Sequence, residues 1–337
     1  MAEKIGIALI GYGYWGANVA QKVAQNELFS FLYICDKREE RIEKARVLYR
    51  ENISYIQDYK EMLLDQSVKA VAITVETEAH YEVAKEALLA GKHVYIEKPF
   101  TSTSEQGEEL QNLAKERQLI IHVDHIMIYH PIIKDMKKRL DNGELGEILY
   151  FDCSRINLGK IRSDVNSMWD LTVHDLSVID FLSDGKPPKE IKCVGQHLYS
   201  SKESVTSLLV KYDGFFATMT SSWISPIKER RIIMGASKKM VVFNDMDPMN
   251  KYVVYDKGFD VDAELENMEY EKFALRTRNG GAIIPELPQE DALYNSIEHF
   301  RVCICEKRKS LSGPEAAIRL LKILENADRQ MKEENSI

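Results

Sequence analysis

Three side chains in this sequence have the chemistry needed to move a proton at a hydroxyl group: Lys98, Asp170 and His174. A lysine ammonium stabilises negative charge that develops on an oxygen atom. Histidine ordinarily titrates near neutral pH, so its imidazole can accept or donate a proton during a reaction. Asp170 and His174 are four residues apart and would share one face of a helix. Taken alone, however, this spacing favours an ordinary surface pair, and Lys98 alone is typical of a solvated loop.

A glycine-rich segment near the start of the chain supplies a second chemical signal. Gly11, Gly13 and Gly16 form the pattern GxGxxG between an apolar strand and a helix, the context in which this pattern has meaning. The first glycine permits a tight turn, the second lets the backbone approach a pyrophosphate, and the third allows close packing of helix and strand. The helix N-terminus around Tyr14 and Trp15 then offers free N–H groups to the anion. The alternative is a glycine turn without a ligand.

An acidic residue that selects the cofactor is expected at the end of the second strand. Asp36 stands there, 20 residues after Gly16. Such a carboxylate accepts hydrogen bonds from the ribose hydroxyls and repels a 2′-phosphate, so the sequence predicts NAD in preference to NADP. Lys37 and Arg38 follow directly and could soften that preference. Asp36 could also be an ordinary turn residue.

The elements predicted up to residue 123 form the first domain. Short apolar strands alternate with helices, which predicts βαβ units and a doubly wound parallel sheet of the Rossmann type. We predict strands at residues 5–10, 29–35, 70–75, 93–96 and 119–123, and helices at 14–25, 37–49, 78–89 and 104–117. Lys98 then follows a strand, at the edge of the sheet where ligands bind.

Residues 124–337 are predicted to form a second domain for substrate binding and oligomerisation. Its pattern of alternating residues predicts an α+β fold with a large, mostly antiparallel sheet. We predict strands at 148–154, 204–211, 215–222 and 230–234, a hairpin turn at 212–214, helices at 130–140, 169–182, 289–306 and 313–331, and a loop at 277–288. The last two helices could pack back on the first domain.

The composition restricts the classes of protein that remain. The chain has 337 residues, and 45 basic against 53 acidic side chains give a net charge of −8. No basic segment suggests a nucleic-acid partner, and no apolar run approaches the ~20 residues of a membrane span. The start of the chain lacks the cleavage site of a signal peptide. Five cysteines without a CxxC pair fit a reducing compartment, so we expect a cytoplasmic protein without a metal site.

The string GKHVYIEKP, residues 91–99, is far more specific than the glycine loop. Together the two motifs resemble the Gfo/Idh/MocA oxidoreductases, the family of glucose–fructose oxidoreductase and inositol dehydrogenase, along essentially the whole chain. The resemblance implies that Glu97 and Lys98 border the cofactor and that Lys98 also reaches the substrate. It also implies cofactor roles for Thr74 and His80, which occupy the family's T-x-x-x-x-x-H segment. Glu76 departs from the proline that many members have in that segment.

The same resemblance changes the interpretation of the acid and the histidine, because the family has a D-x-x-x-H pair in its substrate domain. It implies that Lys98, Asp170 and His174 form one catalytic group. His174 is then the general base that takes the hydroxyl proton, while Lys98 holds the alcohol oxygen. Asp175, the next residue, is expected to cap or pair locally.

A polar loop precedes the helix of this acid and histidine and is a candidate for substrate binding. Its candidate residues are Arg155, Asn157, Lys160 and Arg162. Arginine suits bidentate contacts with phosphate, so the loop could hold a nucleotide-linked sugar, although a solvated loop fits equally well. Tyr129, His130 and the segment 221–226 could complete the pocket, although Trp223 is more typical of a core.

The motifs R-x-N-x-G-x-x-R, W-D-L-x-x-H-D-L-S and S-W-x-x-P resemble the branch of the family that oxidises UDP-N-acetylhexosamines at C3. That branch supplies 3-keto sugars to an aminotransferase, for lipid A or surface polysaccharide. The resemblance implies an NAD-dependent nucleotide-sugar dehydrogenase that works as a homodimer or homotetramer. The alternatives are an inositol or other free-sugar dehydrogenase, an NADPH-dependent ketosugar reductase, and a non-catalytic NAD-binding regulator. The retained Lys98, Asp170 and His174 argue against the regulator.

Overall fold

The computed structural model describes residues 4–49, 53–261 and 275–334. It divides into two compact units. Unit 1 comprises Met1–His130 and Glu290–Lys322, and unit 2 comprises Pro131–Gln289 and Ile323–Ile337. The first unit thus extends beyond the predicted boundary at residue 123, because a 3₁₀ turn at Ile126–Tyr129 continues directly from its last strand. It also takes in a late segment of the chain that the predicted division assigned to the second domain.

Unit 1 contains a six-stranded parallel sheet in the order β3-β2-β1-β4-β5-β6, which confirms the predicted Rossmann architecture. The strands are β1 Ile5–Ile10, β2 Phe29–Cys35, β3 Ser54–Ile56, β4 Ala70–Ile73, β5 His93–Ile96 and β6 Ile121–Val123. The helices between them are α1 Tyr14–Gln25, α2 Glu39–Leu48, α3 Tyr59–Leu63, α4 Thr77–Leu89 and α5 Ser104–Glu116. All six residues of β1 are buried, as expected for a strand that is covered on both faces.

Two short elements of unit 1 are absent from the prediction. Strand β3 has three residues, none of them fully buried, so its sequence carries no apolar run. Helix α3 has five residues and begins at Asp58, whose side chain accepts a hydrogen bond from the Lys60 backbone N–H. Both elements are too short for hydrophobic periodicity to reveal.

The first of the two late helices, α8 Ala292–Glu306, belongs to the core of unit 1. Its residues Leu293, Ile297 and Phe300 are buried in the same apolar cluster as strand β1 and helix α1. Their spacing of four and three residues places them on one face of the helix. Helix α9, Pro314–Glu334, follows and contributes residues to both units.

Unit 2 contains an eight-stranded sheet in the order β14-β13-β12-β11-β7-β10-β9-β8. Among the described strand pairs of this second sheet, only β10–β7 is parallel, so the sheet is mostly antiparallel, as predicted. The strands are β7 Ile148–Leu158, β8 Glu190–His197, β9 Glu203–Lys211, β10 Phe216–Ser222, β11 Ile224–Ala236, β12 Met240–Asn244, β13 Tyr252–Val261 and β14 Leu275–Ile283. The predicted hairpin turn is confirmed, because the Tyr212 N–H donates to the Phe215 carbonyl and Gly214 has a φ of +89°.

The prediction of a loop at residues 277–288 is wrong over its first half. Strand β14 occupies Leu275–Ile283 and pairs antiparallel with β13. Its two central glycines indicated a turn, but Gly280 and Gly281 lie at a bulge between the paired residues Asn279 and Ala282, and the strand continues on both sides of it. Strands β8, β12 and β13 are also missing from the prediction. The edge strand β8 buries only Cys193 fully, so the alternation that marks a strand is weak there.

Two helical elements of unit 2 carry candidate site residues or lie near them in sequence. Helix α6 spans Pro131–Asp141, close to the predicted 130–140. The predicted helix at 169–182 is α7, Val173–Leu182, preceded by a π-helical turn at Met168–Thr172. In the part of the chain that the structure describes, no helix is long and apolar enough to cross a bilayer. The same residues include no cluster of side chains suited to a metal ion.

Candidate active site

The glycine loop of unit 1 has the geometry of a dinucleotide-binding turn. Gly11 adopts a φ of +96°, a left-handed conformation that favours glycine, and its N–H donates to the Cys35 carbonyl at 2.7 Å. Gly13 precedes the first turn of α1, where no side chain caps the free N–H groups. Tyr14, at the same turn, is 89% exposed. The residues present therefore fit a pyrophosphate held by backbone N–H groups at a helix N-terminus.

A side chain at Gly16 is incompatible with this loop. A Cβ there would collide with the Gly11 carbonyl oxygen and lie 2.7 Å from Thr74 Oγ1. A Cβ at Gly13 would meet only the Arg41 side chain, at 3.6 Å. The two glycines therefore have different tasks, since Gly16 permits close packing and Gly13 leaves the approach to the loop open.

We expect Gly16→Ala to lower the free energy of unfolding by about 1–3 kcal/mol, because the backbone must move to admit the methyl group. Gly13→Ala is the matched control and should leave thermal stability close to that of the unaltered protein. Both variants should bind NADH more weakly, as measured by the fluorescence of the bound nucleotide. Equal stability of the two variants would contradict this assignment of tasks.

Asp36 lies directly after β2, and three donors hold its carboxylate. The Tyr12 N–H donates to Oδ2 at 2.7 Å, the Arg38 N–H donates to Oδ1 at 2.9 Å, and Arg41 forms an ion pair at 3.1 Å. A carboxylate has about four lone-pair sites, so Asp36 retains capacity for a ribose hydroxyl. Arg41, which is absent from the prediction, places a guanidinium where it could receive a 2′-phosphate. Lys37 and Arg38 are exposed.

Thr74 and His80, for which the family resemblance implies cofactor roles, contact the backbone of the loops at this edge of the sheet. Thr74 Oγ1 donates to the Gly11 carbonyl at 2.6 Å and so ties β4 to the glycine loop. His80 is buried, and its ring nitrogens lie 2.9 Å from the Pro99 carbonyl and 3.1 Å from the Val75 carbonyl. Burial lowers the pKa of His80, so the ring is neutral and donates to one of these carbonyls. Both residues therefore support the loops around the cofactor site.

Lys98 follows β5 at the carboxyl edge of the sheet and is half-buried. Its peptide bond to Pro99 is cis. Three buried residues surround it in sequence and in space: Glu97, Asp124 and His125. Burial and the charge of Lys98 lower the pKa of His125 to about 3, so this imidazole is neutral. The lysine thus stands at the ligand-binding edge among groups that are withdrawn from water.

Trp15 and Glu97 point into this buried region. The Trp15 indole N–H donates to Asp124 at 3.4 Å, and the Glu97 carboxyl contacts Asp124. Both are predicted cofactor-binding residues, whereas Asp124 and His125 are absent from the prediction. A signal was available, because both directly follow β6 and the carboxyl ends of parallel strands meet at one edge.

In unit 2, Asp170 lies within the π-helical turn that precedes α7. The Trp223 indole N–H donates to Asp170 Oδ2 at 3.1 Å, and Arg162 lies 3.4 Å from Oδ1. His174 lies in the first turn of α7 and is half-buried. The prediction of one regular helix for this pair therefore needs correction, since a π-helical turn carries the acid. Such turns occur frequently at functional sites.

A buried hydrogen-bond network anchors the start of this π-helical turn. Asn166 Nδ2 donates to Glu203 at 3.0 Å and to Asp328 at 2.9 Å, and the Trp169 indole N–H donates to Asp328 at 2.9 Å. The Trp169 backbone N–H also donates to the Asn166 side chain. These bonds fix the backbone from which Asp170 projects. The W-D pair that drew attention in the sequence thus combines an anchoring tryptophan with a candidate site residue.

Arg155 is a correction to the predicted substrate loop. Its side chain is 7% exposed and forms a buried ion pair with Asp175 at 2.8 Å. The burial follows from its position in β7, where alternate residues face the interior. Asp175 pairs locally, as expected. The structure therefore gives Arg155 a structural role in place of contact with a substrate phosphate.

We expect Arg155→Met to lower the free energy of unfolding by about 3–5 kcal/mol, because it leaves the buried Asp175 carboxylate uncompensated. The double variant Arg155→Met, Asp175→Leu should recover most of this loss. Arg162→Met, which alters a partly exposed arginine of the same loop, should change stability little. Urea titration measures all three, and a mild effect of the single Arg155 variant would argue against a structural pair.

Tyr129 is a second correction, whereas the remaining loop residues are accessible. Tyr129 is 1% exposed and stacks on His122 with ring centroids 5.5 Å apart. Lys160 is exposed, and Asn157 is partly exposed. Arg162 pairs with Asp164 and Asp170 and is 37% exposed. Trp223 is a buried residue, and its indole N–H gives it a task toward Asp170.

The Rossmann sheet, the glycine loop and the lysine at its edge define an NAD(P)-dependent oxidoreductase that acts on CH–OH groups. Two family models match the chain. The one described as "Oxidoreductase family, NAD-binding Rossmann fold" covers residues 5–125, and the one described as "GFO/IDH/MocA C-terminal domain" covers residues 133–242. Together they span more than half of the sequence, and the chain belongs to the Gfo/Idh/MocA family of oxidoreductases.

Individual relatives agree in sequence and in fold. The UDP-N-acetylglucosamine 3-dehydrogenase of Acidithiobacillus ferrooxidans is 27% identical over 305 residues, which cover 88% of this chain and 90% of that protein. Its solved structure superimposes with a TM-score of 0.80 at 24% identity, over 97% of this chain and 98% of that chain. The 3-ketoreductase KijD10 from Actinomadura kijaniata, solved with TDP-benzene and NADP, gives a TM-score of 0.79 at 20% identity over 96% of each chain. At such identities the structural likeness shows the fold alone.

Proposed function

We propose that this protein is a dehydrogenase of nucleotide-linked sugars that oxidises the C3 hydroxyl of UDP-N-acetylglucosamine or a close analogue. The observation that carries the proposal is Lys98, half-buried at the carboxyl edge of β5 in the same sheet as the glycine loop. The substrate class is supported by the likeness to a UDP-N-acetylglucosamine 3-dehydrogenase over nearly the full length of both chains.

The proposed mechanism assigns a role to each candidate side chain. The Lys98 ammonium holds the reacting hydroxyl oxygen and stabilises the negative charge that develops on it. The His174 imidazole accepts the hydroxyl proton as the carbon becomes a ketone. Asp170, held by Trp223, orients the sugar or the histidine. When bound, the nicotinamide supplies the acceptor for the hydride that leaves the same carbon.

Both forms of the cofactor are compatible with the residues around Asp36. The Asp36 carboxylate favours the free ribose hydroxyls of NAD. Arg41, together with the exposed Lys37 and Arg38, offers positive charge to the 2′-phosphate of NADP. We propose NAD as the preferred cofactor, with measurable use of NADP, since Arg41 already neutralises part of the Asp36 charge.

The diphosphate of the substrate needs cations that are accessible, and the loop before the π-helical turn offers two. Lys160 is exposed and Arg162 is partly exposed, whereas Arg155 is committed to Asp175. We therefore assign Lys160, Arg162 and Asn157 to the nucleotide portion. A free-sugar dehydrogenase, such as one for inositol, needs no such cations and is the second candidate.

The proposed product, a 3-keto sugar, indicates which reaction follows. A 3-keto sugar is a substrate for transamination, so an aminotransferase is the expected consumer of the product, on the way to lipid A or surface polysaccharide. A homodimer or homotetramer and a cytoplasmic location complete the proposal.

The test is NADH or NADPH absorbance with UDP-N-acetylglucosamine as substrate, measured with NAD and NADP in parallel. An aminotransferase with glutamate is added to remove the ketone, because oxidation of an isolated alcohol by NAD is unfavourable. Turnover with the UDP-sugar that falls in a Lys160→Ala, Arg162→Ala variant through a raised KM supports the proposal. Turnover with inositol or glucose, and none with the UDP-sugar, favours the second candidate.

A further inference from the structure

Two acidic residues meet in the interior of unit 1 directly behind Lys98. Glu97 follows β5 and is 9% exposed, and Asp124 follows β6 and is 1% exposed. Backbone hydrogen bonds fix both positions, since the Glu97 N–H donates to the Ile73 carbonyl and the Asp124 N–H donates to the Ile96 carbonyl. Their carboxyl groups lie in hydrogen-bond contact. The proposed function gives this buried pair no task so far.

The donors around the pair are distributed unequally. Asp124 Oδ1 accepts from Ser296 Oγ at 2.9 Å, and Oδ2 accepts from the Trp15 indole at 3.4 Å. Glu97 Oε2 accepts from the Lys98 backbone N–H at 3.2 Å. Glu97 Oε1, in contrast, is buried with no donor among the residues that the structure describes. Two carboxylates cannot bond each other without a proton, so the contact between these acids requires one.

The environment settles which acid holds that proton. Burial and the neighbouring Asp124 charge raise the pKa of Glu97 well above its ordinary range. Burial also raises the pKa of Asp124, but the hydrogen bonds that Asp124 receives from Glu97, Tyr95 and Ser296 oppose this rise and stabilise its ionised form. Glu97 is thus the donor and Asp124 the acceptor, and the pair carries a single negative charge.

The other titratable groups that face the pair are uncharged, so Lys98 is the group that compensates its negative charge. Burial lowers the pKa of His122 and His125, so both imidazoles are neutral, and it raises the pKa of Tyr95, so the phenol is also neutral. Ser296 from helix α8 links these groups, since its Oγ lies 2.9 Å from His122 Nε2 and 3.2 Å from Tyr95 OH. The ammonium of Lys98 is the cation whose charge acts on both acids.

We propose that Glu97 and Asp124 share one proton and act as a positioning pair, whose single negative charge holds the Lys98 ammonium at the edge of the sheet. The proposal rests on the proposed function for the role of Lys98, but the shared proton does not depend on any substrate. Burying an ion costs free energy unless an opposite charge lies close to it. Here the negative charge of the pair and the positive charge of the Lys98 ammonium compensate each other.

The shared proton has a spectroscopic signature. Infrared spectra of the cofactor-free protein at neutral pH should show the C=O stretch of a buried, protonated carboxyl group. We expect this band to disappear in Glu97→Gln and also in Asp124→Asn, because in each variant the remaining acid ionises opposite Lys98. A band that survives in Asp124→Asn shows an unshared proton on Glu97 and overturns the proposal, as does a wild-type spectrum without the band.

Turnover separates a shared charge from two independent carboxylates. Each single amide variant keeps one negative charge, so we expect kcat with the UDP-sugar to fall less than about threefold. The double variant Glu97→Gln, Asp124→Asn has none, and we expect kcat to fall about 100-fold, with the KM for the nicotinamide cofactor nearly constant, as for loss of a transition-state contact. Effects of the two single variants that simply multiply in the double variant would overturn the positioning role.

A control variant and the combined results distinguish failure of the proton-sharing pair from failure of the proposed function. Glu109→Gln alters an exposed acid of the same unit and should leave the infrared band, kcat and thermal stability unchanged. If no UDP-sugar is turned over but the band behaves as predicted, the proton-sharing pair stands and the substrate assignment fails. If turnover occurs and the band is absent, the pair fails and the proposed function stands. If the double variant does not fold, the spectra of the single variants decide.

Discussion

Lys98→Met is expected to abolish turnover and to leave the affinity for NADH nearly unchanged. The substitution keeps much of the volume of the side chain but removes the ammonium that, in the proposed mechanism, stabilises the reacting oxygen. Removal of one such donor costs about 100- to 1,000-fold in kcat in well-studied sites. The glycine loop and Asp36, which we propose to hold the nucleotide, follow other strands of the sheet and are unaltered in this variant.

Two measurements test the prediction for Lys98→Met. Stopped-flow traces give the rate of hydride transfer, and fluorescence titration gives the dissociation constant of NADH. Lys60→Met, which alters an exposed lysine paired with Glu86 in the same unit, is the matched control and should behave like the wild type. A Lys98→Met protein that turns over the sugar within tenfold of the wild-type rate would remove Lys98 from the chemistry.

His174→Gln is expected to have the second-largest effect on catalysis. Glutamine retains a polar side chain of similar reach but cannot accept a proton, and a general base contributes about 100- to 10,000-fold to a rate. We therefore expect kcat to fall by at least 100-fold with little change in KM. The acidic limb of the pH–rate profile, which reports the base in its protonated form, should disappear with the histidine.

The control for this variant is His197→Gln in the same unit. His197 is accessible at the end of β8, 3.5 Å from Glu203, and has no assigned role in the reaction. Its replacement should leave kcat and the pH profile unchanged. A His174→Gln enzyme that retains the acidic limb would show that another group accepts the proton, and the neutral, buried His125 would be the next candidate.

The fold was predictable where hydrophobic periodicity is strong. Five strands of the parallel sheet and the helices between them carry long apolar runs or one-sided faces, and the structure confirms them. Strand β3 and helix α3 escaped prediction because they are too short to show a period. Strand β14 escaped it because two glycines mimic a turn, although its backbone pairs with β13.

The types of the candidate site residues were predictable from the sequence, but the residues that they contact were less so. The motif around Lys98 indicated a lysine at the ligand edge of the sheet, and the structure places it after β5. The role predicted for Arg155 was wrong, because a cation in a polar segment gives no sign that Asp175, 20 residues later, will neutralise it in the interior. Such pairs depend on tertiary packing, which no local pattern encodes.

Asp124 is the opposite case. Its position at the carboxyl end of a parallel strand indicates a site residue, but its residue type does not. A single aspartate after a strand is ordinary in sequence. Its importance emerges only when β5 and β6 align in parallel, Ile96 opposite Val123, and bring it against Glu97. The strand order therefore carries information about the site that the spacing of residues along the chain lacks.

The most direct test of the proposed function follows the hydrogen atom itself. UDP-N-acetylglucosamine that carries deuterium at C3 is incubated with the protein and NAD, with an aminotransferase present to remove the ketone. We predict that the deuterium appears on C4 of the nicotinamide, detected by mass spectrometry of the reduced cofactor, and that Lys98→Met abolishes the transfer. Reduced cofactor without deuterium would show that another carbon is oxidised, and no reduced cofactor with NAD or NADP would contradict the assignment of this substrate.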